Sequence, residues 1–285
     1  MAEKKKIGNT VKILLMVIVV SVSYVVFQDI GMSIIAIKIG KHANQIIMDH
    51  YFLVDTLLCS AMLGIYIPWY FRLKRQNKAM NIGSACLESR KPFPNSGRLK
   101  NAGGILIISL GLGGLSALWL IFASSFLTEV PVFGPSLESF DETWSDVDEH
   151  FYLWVLLSVA IIGPIIEEFI FRGIAYKYLE RISTGYMPAI ISGIAFGIWH
   201  MEPVQSVYAA IMGIIMGLVF KATRDLRYTI AIHITNNFLS TLPPGIDTET
   251  VNNGINILSI IMVIPILIIV VKFIRTMNRE KRLSL

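Results

Sequence analysis

Apolar runs long enough to cross a lipid bilayer recur along this chain, and nothing else in the sequence restricts its fold as much. A hydrocarbon core of about 30 Å and a rise of 1.5 Å per residue call for about 20 mostly apolar residues per crossing. Candidate runs fall at 11–37, 51–71, 104–127, 151–171, 187–200, 206–220, 228–241 and 255–274. Of the 285 residues 54% are hydrophobic and 16% charged, an apolar fraction beyond what a soluble domain buries. The expected fold is therefore all-α: a polytopic membrane bundle of about eight transmembrane helices, forming a single integral membrane domain over 1–285. The fifth to seventh runs are short and carry polar residues, so function is sought there.

Loop charges give an independent count. With the N-terminus inside, 23 of the 25 Lys and Arg fall on one side, and only Lys38 and Lys41 fall on the other. These inside charges include Arg172, Lys177 and Arg181, placed just beyond the fourth run. The segment 129–149 holds seven acids and no basic residue, as suits a translocated loop. The positive-inside rule thus supports eight spans with both termini cytoplasmic. The net charge of +5 is then a topology signal, and no nucleic-acid partner is expected. MAEKKKIGNTVK before the first run resembles the start of a signal peptide. No small-residue cleavage site follows it, so the run reads as an uncleaved span. The inside loop 72–103, with KPFPNSG, reads as a solvated linker, and Phe140, Trp144 and Phe151 as interfacial aromatics. Cys59 and Cys86 suggest neither a disulfide framework nor redox chemistry. The expected location is a membrane, with a bacterial plasma membrane favoured.

Ionisable residues at membrane depth are costly and point to function. The fourth run contains GPIIEEFIFRG, residues 163–173. Glu168 and Arg172 are four apart in the favourable acid-first order and can pair. Glu167 points about 100° away, lacks that partner, and is a candidate general base. Pro164 is expected to kink the helix just before it. The fifth run places Phe196 and His200 on one helical face, and the seventh does the same for His233 and Asn237, with Asn236 to one side. Each pair alone reads equally as interhelical hydrogen bonding. Gly193 with Gly197, and Gly213 with Gly217, read as close-packing pairs. One tension stands in this reading: Glu167 falls toward the cytoplasmic end of its span, His200 toward the outer end of its own.

The ordered set EEFIFRG, FGIWH and HITNN, over roughly 151–242, resembles the CAAX prenyl protease and bacteriocin-processing (Abi) family of intramembrane glutamic endopeptidases. The resemblance implies a catalytic core over about 151–242, set between N-terminal spans and loops (1–150) and a last span with a basic tail (255–285). It implies that Glu167 and His200 activate the attacking water and that His233 and Asn237 form an oxyanion hole. Glu168, Arg172 and Phe196 take supporting places. The implied substrate is a membrane-associated peptide or protein tail within the lipid bilayer, and no cofactor is implied.

Other chemistries fit the same residues. Two His and one Glu are a familiar zinc ligand set, so Glu167, His200 and His233 are the ligands of a zinc alternative, although HExxH is absent. Buried Glu and His could instead relay protons or bind a cation in a transporter. A non-catalytic peptide-binding or bacteriocin self-immunity protein could use the same bundle.

Overall fold

The computed structural model describes residues 2–82, 98–145 and 152–283, and regular structure among them is helical. The KPFPNSG stretch, Cys86, Phe151 and the side chain of Trp144 lie outside that description. In chain order the helices are α1 (Ala2–Ile39), α2 (Ala43–Asp49), α3 (Tyr51–Ala79), α4 (Arg98–Phe126), α5 (Gly134–Ser145), α6 (Tyr152–Leu179), α7 (Met187–Trp199), α8 (Pro203–Thr223), α9 (Leu226–Ser240) and α10 (Glu249–Leu283).

Each of the eight apolar runs lies on one of these helices. Six of them, α1, α3, α4, α6, α8 and α10, are long and apolar enough to cross a membrane, so the chain is an integral membrane protein. Ile257, Ile261 and Ile264 of α10 are among the exposed apolar side chains this requires. The other two helices are shorter than the eight-span reading asks. With 13 residues in α7 and 15 in α9, neither reaches the about 20 of a full crossing. The reason is visible at their ends. At the end of α7, Met201 is left-handed (φ 56°), and the Trp199 indole N–H bonds the Ser21 carbonyl of α1 at 3.0 Å. Such irregular backbone is tolerated where it is covered by protein. Helix α9 begins at Asp225, whose carboxylate accepts from the Arg227 amide at 3.0 Å. Hydrogen bonds from the Arg227 side chain also hold that carboxyl below the usual carboxylate range.

Helix α6 is longer than the sequence suggests and ends at Leu179. Arg172 and Lys177, counted above as loop charges, are buried inside the bundle at 0% and 6% exposure. They do not end the span because their charges have partners. Arg172 pairs with Glu168, and the Lys177 ammonium lies over the rings of Tyr70 and Phe220 at 5.6 and 5.4 Å. The positive-inside count is weakened by those two residues.

This extension also removes the tension over depth. Leu179 lies twelve residues after Glu167 and Met187 thirteen before His200, so both are about 18–20 Å from the connecting turn. Glu167 belongs to the middle of its span rather than to its cytoplasmic end.

Without water between helices, association in lipid depends on close packing. Helices α7 and α8 touch backbone to backbone along the two glycine pairs. A Cβ on Gly213 would lie 2.8 Å from the Gly193 Cα, and one on Gly217 at 2.8 Å from the Ala189 Cα. Helices α4 and α10 meet similarly at Gly111, where a Cβ would be 2.8 Å from that of Ile266. Tyr66, Tyr70, Ile166, Ile170 and Phe196 fill the core between α3, α6 and α7.

Gly213→Ala is therefore expected to destabilise the folded protein by roughly 1–3 kcal/mol, the usual cost of overpacking. Gly64→Ala, which meets open space, serves as the control. Thermal unfolding in detergent checks both, and equal midpoints would contradict the packing account.

Candidate functional site

The polar residues of the later helices converge on one level of the bundle, and α6 sets that level. Two π-helical segments, Leu156–Ile162 and Phe169–Ala175, flank the α-helical Gly163–Glu168. Pro164 has no amide hydrogen to donate, and the widened turn before it accommodates the ring. The Gly163 amide bonds the Ser158 carbonyl five residues back, and a Cβ at Gly163 would lie 2.5 Å from that oxygen. The expected kink at Pro164 is thus realised as a π-helical turn.

At the centre stands a buried ion pair. Arg172 Nη1 donates to Glu168 Oε1 at 2.8 Å, with neither side chain exposed. The same carboxylate oxygen lies 3.1 Å from His233 Nδ1. A carboxylate paired with Arg accepts and does not donate, so Nδ1 carries the hydrogen and Nε2 faces the other way. His233 Nε2 lies 3.5 Å from Glu167 Oε2. Glu167 is therefore free of Arg172, as the spacing suggests, yet it faces a His rather than standing alone.

Phe196 ties the third helix to this group. Its ring lies 4.5 Å from the Arg172 guanidinium carbon, and edge-to-face centroid distances are 4.6 Å to His200 and 5.8 Å to His233. Its carbonyl bonds His200 Nδ1 at 2.8 Å. A carbonyl only accepts, so His200 also carries its hydrogen on Nδ1 and, when neutral, leaves Nε2 as an acceptor. Asn237 Nδ2 donates to the Val159 carbonyl at 2.9 Å, which leaves the second hydrogen of that amide for another acceptor.

Glu167, His200, His233 and Asn237 line a single cavity of about 720 Å³. Its wall also includes residues that motif reasoning misses: Tyr24, Asp55, Ser158 and Tyr208. Asp55 carried a readable signal, an acid inside the apolar run 51–71, but no spacing linked it to the motifs. Phe140, read as interfacial, packs on Tyr208 with ring centroids 6.4 Å apart and lines the cavity. A second, polar crevice shares Asn236, Ser240 and Asn256 with the cavity wall. Among the described residues no three His, Cys, Asp or Glu side chains are grouped closely enough to hold a metal ion.

With this geometry in hand, comparison with known proteins is informative. Residues 149–239 match the family described as Type II CAAX prenyl endopeptidase Rce1-like. The chain is of the CAAX prenyl protease and Abi type. It is also 30% identical over 135 residues to YdiL of Bacillus subtilis (strain 168), which is named as a proposed membrane peptidase. That match covers 44% of this chain and 54% of the relative, so the chain spans about half the length of the curated relative it matches. No solved structure matches the chain. The family match brackets EEFIFRG, FGIWH and HITNN, while α1, α3 and α4, which complete the cavity, lie outside it.

Breaking the central pair should unfold more than it rearranges. Arg172→Met leaves Glu168 buried without its cation and is expected to cost about 3–5 kcal/mol. Combining it with Glu168→Gln should recover part of that loss. Chemical or thermal denaturation in detergent measures both, and additive losses would show that the two residues do not act as a unit.

Proposed function

We propose that this chain is an intramembrane endopeptidase of the glutamic type, acting on a membrane-associated peptide or protein tail. The observation that supports it most is the single cavity into which α6, α7 and α9 bring Glu167, His200, His233 and Asn237. The family match over 149–239 supports the same reading. On the loop-charge argument both termini are cytoplasmic, in a bacterial plasma membrane for preference.

The proposed chemistry follows from the hydrogen-bond directions. His200 accepts a hydrogen from the attacking water through Nε2 and orients it. Glu167, as carboxylate, takes the water's other proton as the new C–O bond forms. Charge then develops on the carbonyl oxygen, where the free N–H of Asn237 donates to it. His233 already spends its Nδ1 hydrogen on Glu168, so it serves as an oxyanion donor only as imidazolium, with a hydrogen on Nε2. Glu168 stabilises that form by lying against Nδ1. The working state is thus a Glu167 carboxylate beside a His233 imidazolium, consistent with their 3.5 Å separation. When the tetrahedral intermediate collapses, the C–N bond breaks and Glu167 returns its proton to the leaving nitrogen.

No cofactor takes part in this scheme. Cleavage that survives a strong chelator supports it, and activity lost to the chelator and restored by Zn²⁺ would replace it with the metal alternative at Glu167, His200 and His233. Glu167→Gln is expected to abolish cleavage, read as a neo-terminus in membranes expressing the unaltered chain and absent from those expressing the variant. Asn237→Ala should lower the rate about 10²- to 10³-fold, the usual loss for one oxyanion donor. Cleavage unchanged in Glu167→Gln would sink the proposal, and unchanged biological activity without cleavage would favour a binding or immunity role.

A further inference from the structure

The catalytic proposal leaves one strongly polar group in the cavity unused. Asp55, on α3, lies outside the family match and is held by a fan of neutral donors. Gln28 Nε2 donates to its Oδ1 at 2.7 Å, and the Tyr24 hydroxyl and Cys59 thiol approach the same oxygen at 3.4 and 3.6 Å. Ser158, from the first π segment of α6, donates to Oδ2. Among the described residues no Lys, Arg or His forms an ion pair with Asp55, and none of the described cavity-lining residues is Lys or Arg. The cavity wall thus presents two carboxylates, Glu167 and Asp55, and the cationic partner available to Glu167 is His233. An unpaired carboxylate away from bulk water is costly unless a cation reaches it.

The surroundings suit such a cation. A carboxylate offers about four acceptor positions, and Oδ2 accepts a hydrogen bond from Ser158. Tyr24, Tyr51 and Trp199 line the same cavity, with the Tyr24 and Trp199 rings 5.1 Å apart. Aromatic faces beside an acid favour ammonium and guanidinium groups. We propose that Asp55, with Tyr24, Tyr51 and Trp199, forms a subsite for a positively charged group of the substrate: a Lys or Arg side chain, or a free N-terminal ammonium.

Resting on the peptidase reading, this subsite adds a rule for where the chain is cut. Its distance from the catalytic carboxylate follows from α6. Ser158, which holds Asp55, is nine positions before Glu167, about 13 Å of helical rise. The Glu167 side chain leans toward the helix N-terminus and shortens the gap. At about 3.3–3.6 Å per extended residue, the cation sits roughly two to four residues from the scissile carbonyl.

Direct binding tests this apart from turnover. The probe is a fluorescently labelled, N-acetylated apolar nonapeptide with one central Lys, and its counterpart has acetyl-lysine at that position. Both are titrated by anisotropy against the full chain carrying Glu167→Gln, in detergent micelles. The Lys peptide is expected to bind about tenfold tighter or better, as a charge-assisted, ring-flanked contact allows. Adding Asp55→Asn should bring the ratio to near one, and Asp55→Glu should restore most of it. Should Asp55→Asn fail to fold, Tyr51→Leu, at the exposed start of α3, is expected to reduce the ratio instead. A third peptide, with acetyl-lysine and a free N-terminus, reports whether a terminal ammonium fills the site as well as a side chain. A ratio near one with Asp55 present, a ratio unchanged by Asp55→Asn, or no saturable binding of any peptide overturns the assignment. Cleavage of the Lys peptide by the chain with Glu167 intact is scored separately. Preference without cleavage keeps the subsite and removes the peptidase, whereas cleavage without preference does the reverse.

Discussion

A charge pair sealed from both water and lipid governs the arrangement of this bundle. Glu168 and Arg172 have no exposed surface, and each reaches one further group on another helix. The Glu168 carboxylate lies against His233 of α9, and the Arg172 guanidinium lies over Phe196 of α7. Neither contact is strong by itself. An uncompensated ion at this depth, however, would be far costlier than any of them is favourable, so the pair and its neighbours form or fail together. The two histidines inherit their orientation from this arrangement: His233 through the carboxylate, and His200 through the carbonyl of the residue whose ring covers the guanidinium.

Small residues supply the second condition. Three helices can present side chains to one cavity only if their backbones come close, and the glycines of α7 and α8 permit that without leaving a void. The short length of α7 has the same result. A helix of 13 residues that turns back inside the bundle delivers His200 to mid-depth, where a full crossing would have carried it to the far surface.

The motif-bearing positions were legible in the sequence because a Glu, His or Asn stands out against apolar neighbours. The four-residue spacing of Glu168 and Arg172 predicted their contact, and the glycine pairs predicted the close approach of α7 and α8. What the sequence hid was context that hydropathy does not record. Arg172 and Lys177 look like loop charges until a carboxylate and two aromatic faces are seen to accept them. The ends of α7 and α9 depend on contacts to Ser21 and on the Asp225 cap, each remote from or marginal to the apolar pattern. Asp55 was visible as an acid but not as a neighbour, because its partners come from α1 and α6, 27 and 103 positions away along the chain.

The two π segments of α6 change how a surface of this helix is to be mapped. At about 3.6 residues per turn, nine positions amount to two and a half turns, which would set Ser158 and Glu167 on opposite sides. Both nevertheless line the same cavity, because the wide turns shift the phase between the two halves. A helical wheel drawn through the whole of α6 therefore assigns half of its residues to the wrong environment. Accessibility scans along it should be read as two helices joined at Gly163, each with its own phase.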